Sequence, residues 1–258
     1  TFLSLDSNNL LETSSPDTFS CKFWGLGSDG TVGANKNSAK IVGDWTDQYT
    51  QAYFEYDTKK SYGITKSHLR FSHYPFRSTY LVNPADFVAC HNESYVGKYD
   101  MVQQLKPGGI FLLNCSWKPK ELEHFLPGSM KRCLAEKKIR FYVVDAYKLA
   151  EELGLGNHIN LILQAAFFKL SNIMPLNDAI FHMKEAAKKT YAKKGQNIVE
   201  KNFAAIDAGI SNIVEITVPE EWKRAVEEKE DISNLPAQIR DIVLPINQQK
   251  GDKLPVST

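Results

Sequence analysis

Three nearly continuous apolar runs constrain the fold of this chain more than any other feature of its sequence. They are DFVACH at 86–91, GGIFLLNC at 108–115 and RFYVVDA at 140–146, and each ends in polar residues. Strands that are buried on both faces have this pattern, and such strands occur in parallel sheets. Longer segments with helical periodicity alternate with the runs, which is typical of a sheet covered by helices. The sequence therefore predicts an α/β fold, a single domain with a largely parallel central sheet flanked by helices, plus extended terminal linkers.

Further strands and helices are predicted on both sides of these runs. Two segments, at 51–56 and 68–71, mix polar and apolar residues, which indicates strands that pair at an edge of the sheet. The helix predicted at 159–170 is apolar almost all round, so we expect it in the interior. The predicted strands are 21–26, 51–56, 68–71, 86–91, 109–115 and 140–144, and the predicted helices are 94–105, 129–137, 146–153, 159–170, 176–191 and 196–213.

The two ends of the chain differ in composition from its middle. Residues 1–19 are polar and rich in Ser, Thr and Asn, whereas residues 219–258 are rich in charges and include prolines. Both compositions are typical of linkers. We therefore expect one folded domain at 20–218, an N-terminal linker at 1–19, and a C-terminal strap or linker at 219–258.

The overall charge and the cysteine pattern exclude several classes of protein. The formal net charge is +1 over 258 residues, so nothing in the composition would attract nucleic acid. No stretch approaches the ~20 uninterrupted apolar residues of a membrane span. The spacing of Cys21, Cys90, Cys115 and Cys133 fits neither a zinc site nor an iron–sulfur ligand run. We interpret these cysteines as reduced core thiols of a cytoplasmic protein.

A glycine-rich loop, GLGSDG at 25–30, follows the first predicted strand and precedes a segment that we expect to be helical. Gly25, Gly27 and Gly30 have the spacing of the dinucleotide-binding fingerprint. Glycines there permit positive φ and let backbone amides and a helix N-terminus approach a phosphate closely. The fingerprint also needs an acidic residue about 20 positions further on, and none is convincingly placed. We therefore predict an anion site, with a tight turn that binds no ligand as the alternative.

A short basic turn lies between the two predicted edge strands. It contains Lys59, Lys60 and Ser61, and ammonium groups next to a hydroxyl suit a phosphate-rich ligand. Lysines at a hairpin tip are equally typical of a solvated surface. If the turn folds beside the glycine loop, the two segments together would bind a diphosphate and a further phosphate.

No catalytic constellation accompanies these two segments. The histidines lack metal-ligand spacing, the serines lack a nucleophile-elbow context, and no cysteine has an evident neighbouring base. We therefore expect a ligand-binding domain that has no catalytic residue and no metal site of its own.

Several longer segments resemble one protein family, and they occur in the order expected for that family. They are GLGSDGTVGANKNSAKIVGD at 25–44, YFEYDTKKSYGITKSHLRF at 53–71, RSTYLVNPADFVACH at 77–91 and INQQKGDKLPVS at 246–257. Together they resemble the gamma domain (domain III) of pyruvate:ferredoxin (flavodoxin) oxidoreductase, a member of the 2-oxoacid oxidoreductase superfamily. The resemblance covers nearly the whole chain.

The resemblance also implies the chemistry of a parent enzyme. Such enzymes oxidatively decarboxylate pyruvate to acetyl-coenzyme A in anaerobic metabolism, and thiamine diphosphate with Mg²⁺ stabilises the carbanion left by the loss of CO₂. Electrons pass through 4Fe-4S iron–sulfur clusters to ferredoxin or flavodoxin. This sequence contains neither a four-cysteine cluster run nor the Gly-Asp-Gly segment of such thiamine sites. The resemblance therefore implies that those cofactors lie in other domains of a homodimeric enzyme, and that this chain alone is inactive.

For this chain, the resemblance implies that coenzyme A is bound here as a substrate. Coenzyme A carries a diphosphate and a ribose 3′-phosphate, so a glycine loop and a Lys-Lys-Ser turn supply matching donors. The sequence departs from the family pattern at Tyr62 and His158. The implied contact residues are Ser28, Asp29, Gly30, Thr31, Lys59, Lys60 and Ser61, with Asn157 and Asn160 as weaker candidates.

Two other functions remain open from the residues alone. In the first, the chain is a structural module that organises the neighbouring domains and the dimer and has no ligand of its own. In the second, the glycine fingerprint belongs to a Rossmann-like domain that binds NAD(P).

Overall fold

One mixed sheet of seven strands runs through the part of the chain that the structure describes. The computed structural model describes residues 14–58, 62–227, 232–251 and 254–255. The order of the strands in the sheet is β2-β3-β1-β4-β5-β6-β7, where the strands are β1 (Phe19–Leu26), β2 (Tyr49–Tyr56), β3 (Ile64–Ser72), β4 (Ala85–Cys90), β5 (Leu105–Asn114), β6 (Arg140–Val144) and β7 (Val214–Ile216).

The centre of the sheet is parallel and its edges are antiparallel. Strand β4 pairs in parallel with both β1 and β5, and β5 pairs in parallel with β6. At one edge β2 and β3 form a hairpin, of which β3 pairs antiparallel with β1. The predicted parallel core and the predicted edge hairpin are thereby confirmed. The sequence does not predict β7, because a strand of three residues at the other edge carries too little pattern.

Helices cover both faces of this sheet, which confirms the predicted α/β fold. The helices are α1 (Thr31–Trp45), α2 (Leu122–Phe125), α3 (Gly128–Glu136), α4 (Ala146–Glu152), α5 (Asn160–Ser171), α6 (Leu176–Tyr191), α7 (Gln196–Ser211) and α8 (Leu244–Asn247), with 3₁₀ turns at Glu93–Tyr95, Ala192–Lys194 and Glu220–Arg224 and a π-helical turn at Ile239–Val243. Helices α1 and α4 to α7 cover one face, around Phe23 and Phe167. Helices α2 and α3 cover the other face, around Phe111 and Leu134.

Helix α5 is buried, as its apolar sequence predicts. All side chains from 161 to 168 are buried, and the Phe167 ring contacts the sheet. Helix α7 packs on the outer side of α5. The two helices meet at Gly209, where a Cβ would lie 2.2 Å from the carbonyl oxygen of Ile162. A glycine at this position therefore permits the close approach of α5 and α7.

The helix predicted at 94–105 is wrong. The structure has a single 3₁₀ turn at Glu93–Tyr95, and Leu105 already belongs to β5. Gly97 has a φ of +80°, a left-handed conformation that ends the turn. Met101 is nonetheless buried, so the apolar spacing of this segment marks burial rather than a helix.

A strip of buried and half-buried polar side chains lies on the face of β1, β2 and β3 that α1 does not cover. Lys22 Nζ donates a hydrogen bond to Gln104 Oε1. His68 Nε2 lies 2.6 Å from Glu55 Oε1, and the amide of Val82 donates to His68 Nδ1. Because Nδ1 accepts, Nε2 carries the proton and donates to Glu55, and this bond is the main reason that the pKa of Glu55 falls to about 2. The segment between β3 and β4 thus lies over the strip and joins its hydrogen bonds.

Lys22 is expected to make the stability of the chain depend on pH. Burial is the main cause that lowers the pKa of Lys22 from 10.5 to about 8. Between these two pH values the unfolded chain binds more protons than the folded chain. Above pH 10.5 Lys22 is neutral in both the folded and the unfolded chain, so its burial costs no charge desolvation. The free energy of unfolding therefore falls as the pH falls from 10.5 through 8, where the buried amine takes up its proton.

We therefore expect Lys22→Met to become more stable relative to the wild type as the pH falls towards neutrality, by at most about 3 kcal/mol. Urea unfolding of both proteins at a series of pH values measures this difference. A Lys40→Met variant controls for the loss of one positive charge, because Lys40 is exposed. A difference between Lys22→Met and the wild type that stays constant over the whole range would contradict the prediction.

Candidate functional site

The glycine-rich loop lies where the carboxyl ends of the parallel strands meet. Residues 27–30 connect β1 to α1 on one face of the sheet, and residues 91–104 leave the neighbouring strand β4 on the other face. Chains that leave adjacent strands on opposite faces open a crevice at the strand ends, and α/β proteins bind ligands there. The fold therefore places the loop where a ligand site is expected.

The carboxylate of Asp29 holds the loop closed. Asp29 Oδ2 accepts a hydrogen bond from the amide of Leu26 at 2.8 Å, and Oδ1 accepts one from the amide of Thr31 at 2.7 Å. Ser28 and Gly30 have φ values of 78° and 85°, so the chain turns sharply on both sides of Asp29. The side chain of Asp29 is therefore engaged with the loop itself, and its amide also bonds within the loop, to the Leu26 oxygen at 3.0 Å.

Thr31 fixes the start of α1 from the inside. Its side chain is buried, and its Oγ1 shares a hydrogen bond of 2.7 Å with Nδ1 of the buried His91. A Cβ on Gly25 would lie 2.7 Å from the Cβ of Thr31. The absence of a side chain at Gly25 is thus needed for this packing, since any larger residue would push the start of α1 away from β1.

A cavity of about 230 Å³ lies between this loop and the β2–β3 hairpin. Two backbone hydrogen bonds join them: the Gly27 amide donates to the Gly63 oxygen at 2.7 Å, and the Tyr62 amide donates to the Gly27 oxygen at 3.2 Å. Lys59, Lys60 and Ser61 lie outside the described residues, and the lining residues nearest to them in sequence are Asp57 and Gly63. The cavity is lined by Leu26, Gly27, Ser28, Asp29, Gly30, Val32, Gly33, Tyr56, Asp57, Gly63, Ile64 and Thr65.

The electrostatics of the cavity lining are mixed. The amides of Val32 and Gly33 have no intrahelical acceptor, and the amide of Ala34 is the first in α1 that bonds back, to the Gly30 oxygen at 3.0 Å. This positive end of α1 favours an anion. The side chain of Asp57, whose Oδ1 accepts from the Thr58 amide, adds a negative charge to the lining. Among the lining residues that the structure describes there is no lysine or arginine, so these residues alone do not balance the charge of several anionic groups.

Thr65 adds a buried hydroxyl that lacks a partner in the described part of the chain. Thr65 is 6% exposed and lines the cavity. Its Oγ1 makes no hydrogen bond within the described part of the chain. Buried polar atoms in folded proteins nearly always have a partner, and leaving one unpaired costs about 1–3 kcal/mol. A ligand in the cavity would supply that partner. The sequence reasoning missed Thr65, although its place at the start of the second edge strand, just after the Lys-Lys-Ser turn, was a usable signal.

The two asparagine candidates differ in their positions. Asn160 begins α5, and its Cγ would lie 3.1 Å from a Cβ on Gly30, so its side chain packs against the loop. Asn157 is exposed in the turn before α5 and does not line the cavity. The fold thus brings Asn160 to the loop residues that the sequence singled out and leaves Asn157 outside the cavity.

Two further features of the described residues bear on function. No three side chains of His, Cys, Asp and Glu come together there in a way that could hold a metal ion. Of the helices just described, none has the length and apolar character needed to cross a bilayer.

Sequence comparisons identify relatives along the whole chain. Residues 20–212 match the family model of pyruvate ferredoxin/flavodoxin oxidoreductase. The chain is 54% identical over its whole length to pyruvate-flavodoxin oxidoreductase from Enterobacter agglomerans, and it spans 22% of that protein. It is 52% identical, again over its whole length, to pyruvate:ferredoxin oxidoreductase from Moorella thermoacetica, of which it also spans 22%.

Solved structures share the fold at much lower sequence identity. The pyruvate oxidoreductase subunit PORC from Thermotoga maritima superposes with a TM-score of 0.61 at 18% identity, over 77% of this chain and 98% of that subunit. The 2-oxoglutarate:ferredoxin oxidoreductase from Magnetococcus marinus, solved with 2-oxoglutarate, coenzyme A and succinyl-CoA bound, superposes with a TM-score of 0.57 at 16% identity, over 84% of this chain and 33% of that chain. At these identities the likeness establishes the fold.

Proposed function

The chain belongs to the pyruvate ferredoxin/flavodoxin oxidoreductase family, and from this premise we propose that it is the part of a larger pyruvate oxidoreductase that binds coenzyme A. The larger enzyme would oxidise pyruvate to acetyl-coenzyme A and CO₂ and pass the electrons to ferredoxin or flavodoxin. The chain spans 22% of the length of each of its first two relatives, so thiamine diphosphate, Mg²⁺ and the 4Fe-4S clusters are assigned to the remainder of a homodimeric enzyme.

The folded domain of this chain is proposed to be residues 20–218. The four free cysteines suit a cytoplasmic protein.

The observation that supports this proposal is the cavity between the glycine loop and the β2–β3 hairpin. One phosphate of coenzyme A would accept hydrogen bonds from the amides of Val32 and Gly33 at the positive end of α1. The hydroxyl of Thr65 would gain a partner in the same ligand. Both groups require an acceptor, and a phosphorylated nucleotide offers several.

The remaining phosphates need cations that the described lining lacks. The carboxylate of Asp57 opposes a second anion, because like charges repel strongly where water is partly excluded. Lys59 and Lys60 lie in the sequence between Asp57 and Gly63, and both of these residues line the cavity. We therefore assign the neutralisation of the diphosphate and the 3′-phosphate to these two lysines and a contact to Ser61.

The chain's own part in the reaction is to hold the substrate, and no catalytic residue is assigned to it. A nucleotide end fixed in the cavity leaves the pantetheine arm free to carry its thiol towards the acyl group formed elsewhere in the enzyme. Binding one end of a reactant in this way lowers the entropy cost of the transfer step.

One feature of the cavity would also suit NAD(P), the alternative ligand. Asp57 follows β2 and lines the cavity, and a carboxylate at the end of a strand is the group that binds a ribose hydroxyl in dinucleotide sites. However, β2 pairs with β3 and lies away from β1, whereas the fingerprint strand and its successor are neighbours in that fold. Coenzyme A therefore remains the proposed ligand.

Calorimetric titration of the chain with coenzyme A tests the proposal. We expect binding that weakens from low to physiological salt, because the lysine–phosphate attraction is screened. Pantetheine, which has no phosphate, should bind much more weakly, and NADH should not compete. Equal binding of coenzyme A and pantetheine would contradict the phosphate assignment, and tighter binding of NADH would favour the dinucleotide alternative.

Thr65→Val tests the contribution of the unpartnered hydroxyl. We expect it to leave the unfolding free energy unchanged or raised, because no hydrogen bond is lost, and to weaken coenzyme A binding about 5-fold. Ser67→Ala is the matched control, since Ser67 Oγ is also buried without a partner in the described chain but does not line the cavity. If both variants leave the affinity for coenzyme A unchanged, Thr65 makes no contact with the ligand.

A further inference from the structure

We propose that His91 is a positioning residue for ligand binding: it holds Thr31, and through Thr31 the loop at 27–30 and the first turn of α1, in the geometry that binds coenzyme A. The inference rests on the proposed function of this cavity. His91 itself does not line the cavity, so its action would pass through Thr31.

His91 joins the ends of two parallel strands to the start of α1. It follows directly after β4, and its amide donates to the Trp24 oxygen of β1 at 2.9 Å. Its Nδ1 lies 2.7 Å from Oγ1 of Thr31, across 60 residues of sequence. Both side chains are almost fully buried, at 3% exposure for His91 and 1% for Thr31, so water does not compete for this bond.

Thr31 is the residue at which the parts of the loop converge. Its amide donates to the carboxylate of Asp29, and its side chain fills the space that the missing Cβ of Gly25 leaves. The next two residues, Val32 and Gly33, supply the amides proposed to meet a phosphate. A rotation or shift of Thr31 would therefore move those amides and the closed loop together.

A hydrogen-bond network holds His91 in turn. Its carbonyl oxygen accepts from Asn114 Nδ2 at the end of β5, at 2.9 Å. Asn114 Oδ1 accepts from the amide of Ala146 at the start of α4, also at 2.9 Å. The network thus connects the ends of β1, β4 and β5 with the start of α4. Support of this kind fixes a binding group within the small tolerances that recognition needs.

The chemistry of the His91 ring fits a positioning role. Burial is the main cause that lowers the pKa of His91 to about 4, so the imidazole is neutral at neutral pH. Its ring packs against the Phe23 ring at an interplanar angle of 78°, with the ring centroids 6.2 Å apart. A neutral ring packed in the core fixes the rotamer of a threonine hydroxyl but cannot neutralise a phosphate.

Steady-state kinetics of three variants of the intact enzyme test this inference. Thr31→Val removes the hydroxyl and keeps the shape, His91→Leu removes the ring nitrogen, and His91→Asn keeps a polar atom near the position of Nδ1. We expect Thr31→Val and His91→Leu each to raise the KM for coenzyme A about 5- to 20-fold without changing the KM for pyruvate. His91→Asn should restore most of the loss, and the Thr31→Val, His91→Leu double variant should be no worse than the poorer single variant.

Hydrogen exchange of the loop amides in the enzyme without coenzyme A separates the inference from the proposed function. Exchange at 26–34 should be faster in Thr31→Val and His91→Leu than in the wild type and normal in His91→Asn. Unchanged exchange in both former variants, or an equal rise in the KM values for coenzyme A and pyruvate, overturns the positioning role. Faster exchange with an unchanged KM for coenzyme A supports the role of His91 in holding the loop and overturns the assignment of coenzyme A to it. If His91→Leu does not fold, Thr31→Val carries the same test.

Discussion

Replacement of Lys59 and Lys60 together by alanine is expected to raise the KM of the intact enzyme for coenzyme A about 30-fold, which corresponds to about 2 kcal/mol of lost binding. The physical reason is the charge balance of the cavity. The described lining contains the carboxylates of Asp29 and Asp57 and the positive end of α1, so several phosphates are bound only if further cations approach. A hydrogen bond to a charged group contributes about 1.5–3 kcal/mol, and screening by salt reduces that value.

A second lysine pair in the chain provides the matched control for this charge change. Lys188 and Lys189 are also adjacent, are exposed on α6 and do not line the cavity. Their replacement by alanine removes the same two charges, so we expect the KM for coenzyme A to stay near the wild-type value. The salt dependence of the KM should also become weaker in the Lys59, Lys60 variant alone. Equal KM values in the two double variants would remove the basic turn from the proposed site.

Gly209→Ala is expected to lower the unfolding free energy by about 2–4 kcal/mol, the largest effect of a single methyl group that we expect in this fold. The added Cβ would lie 2.2 Å from the Ile162 oxygen and 2.8 Å from its carbonyl carbon. Both atoms belong to the backbone of α5, so no side chain is able to rotate away. Helix α7 must then move off α5, and the core between the helices and the sheet loses contacts.

The same substitution in another helix gives the control. A Cβ on Gly33 in α1 would have no atom within 4 Å, and alanine is a better helix former than glycine. Gly33→Ala should therefore raise the unfolding free energy by about 0.5–1 kcal/mol. Urea unfolding followed by tryptophan fluorescence compares both variants with the wild type. If the unfolding free energy of Gly209→Ala equals or exceeds that of Gly33→Ala, α5 and α7 are not held at the described distance.

The elements that the sequence predicts correctly are those whose pattern is set by burial on both faces. The runs at 86–91 and 140–144 became β4 and β6 because a strand covered by helices on either side has apolar residues throughout. The segment at 94–105 was misread for a related reason. Several of its apolar residues, such as Met101 and Val102, are buried although the chain there is irregular. The spacing of buried residues does not distinguish a helix from a folded loop, here one with a left-handed Gly97.

The candidate site was predictable only where its residues are close in sequence. The strand, glycine loop and helix at 19–45 form one local unit, and the loop residues follow from it directly. Thr65 and His91 reach the same place through the strand order β3-β1-β4, which no local pattern specifies. The sequence also did not predict that the Asp29 carboxylate accepts hydrogen bonds from amides of its own loop. An aspartate in a loop gives the same sequence pattern whether its side chain faces solvent or the backbone.

The two carboxylates beside the positive end of α1 give the proposed site a threshold in ligand valency. A small anion such as free phosphate gains two amides and meets two negative charges, so its net attraction is slight. A ligand with several linked phosphates engages the amides and the basic turn in one event, because the first contact raises the effective concentration of the second. Abundant metabolites with a single phosphate would therefore bind weakly in this cavity. Selectivity would arise as much from the repulsion between the carboxylates and such phosphates as from attraction.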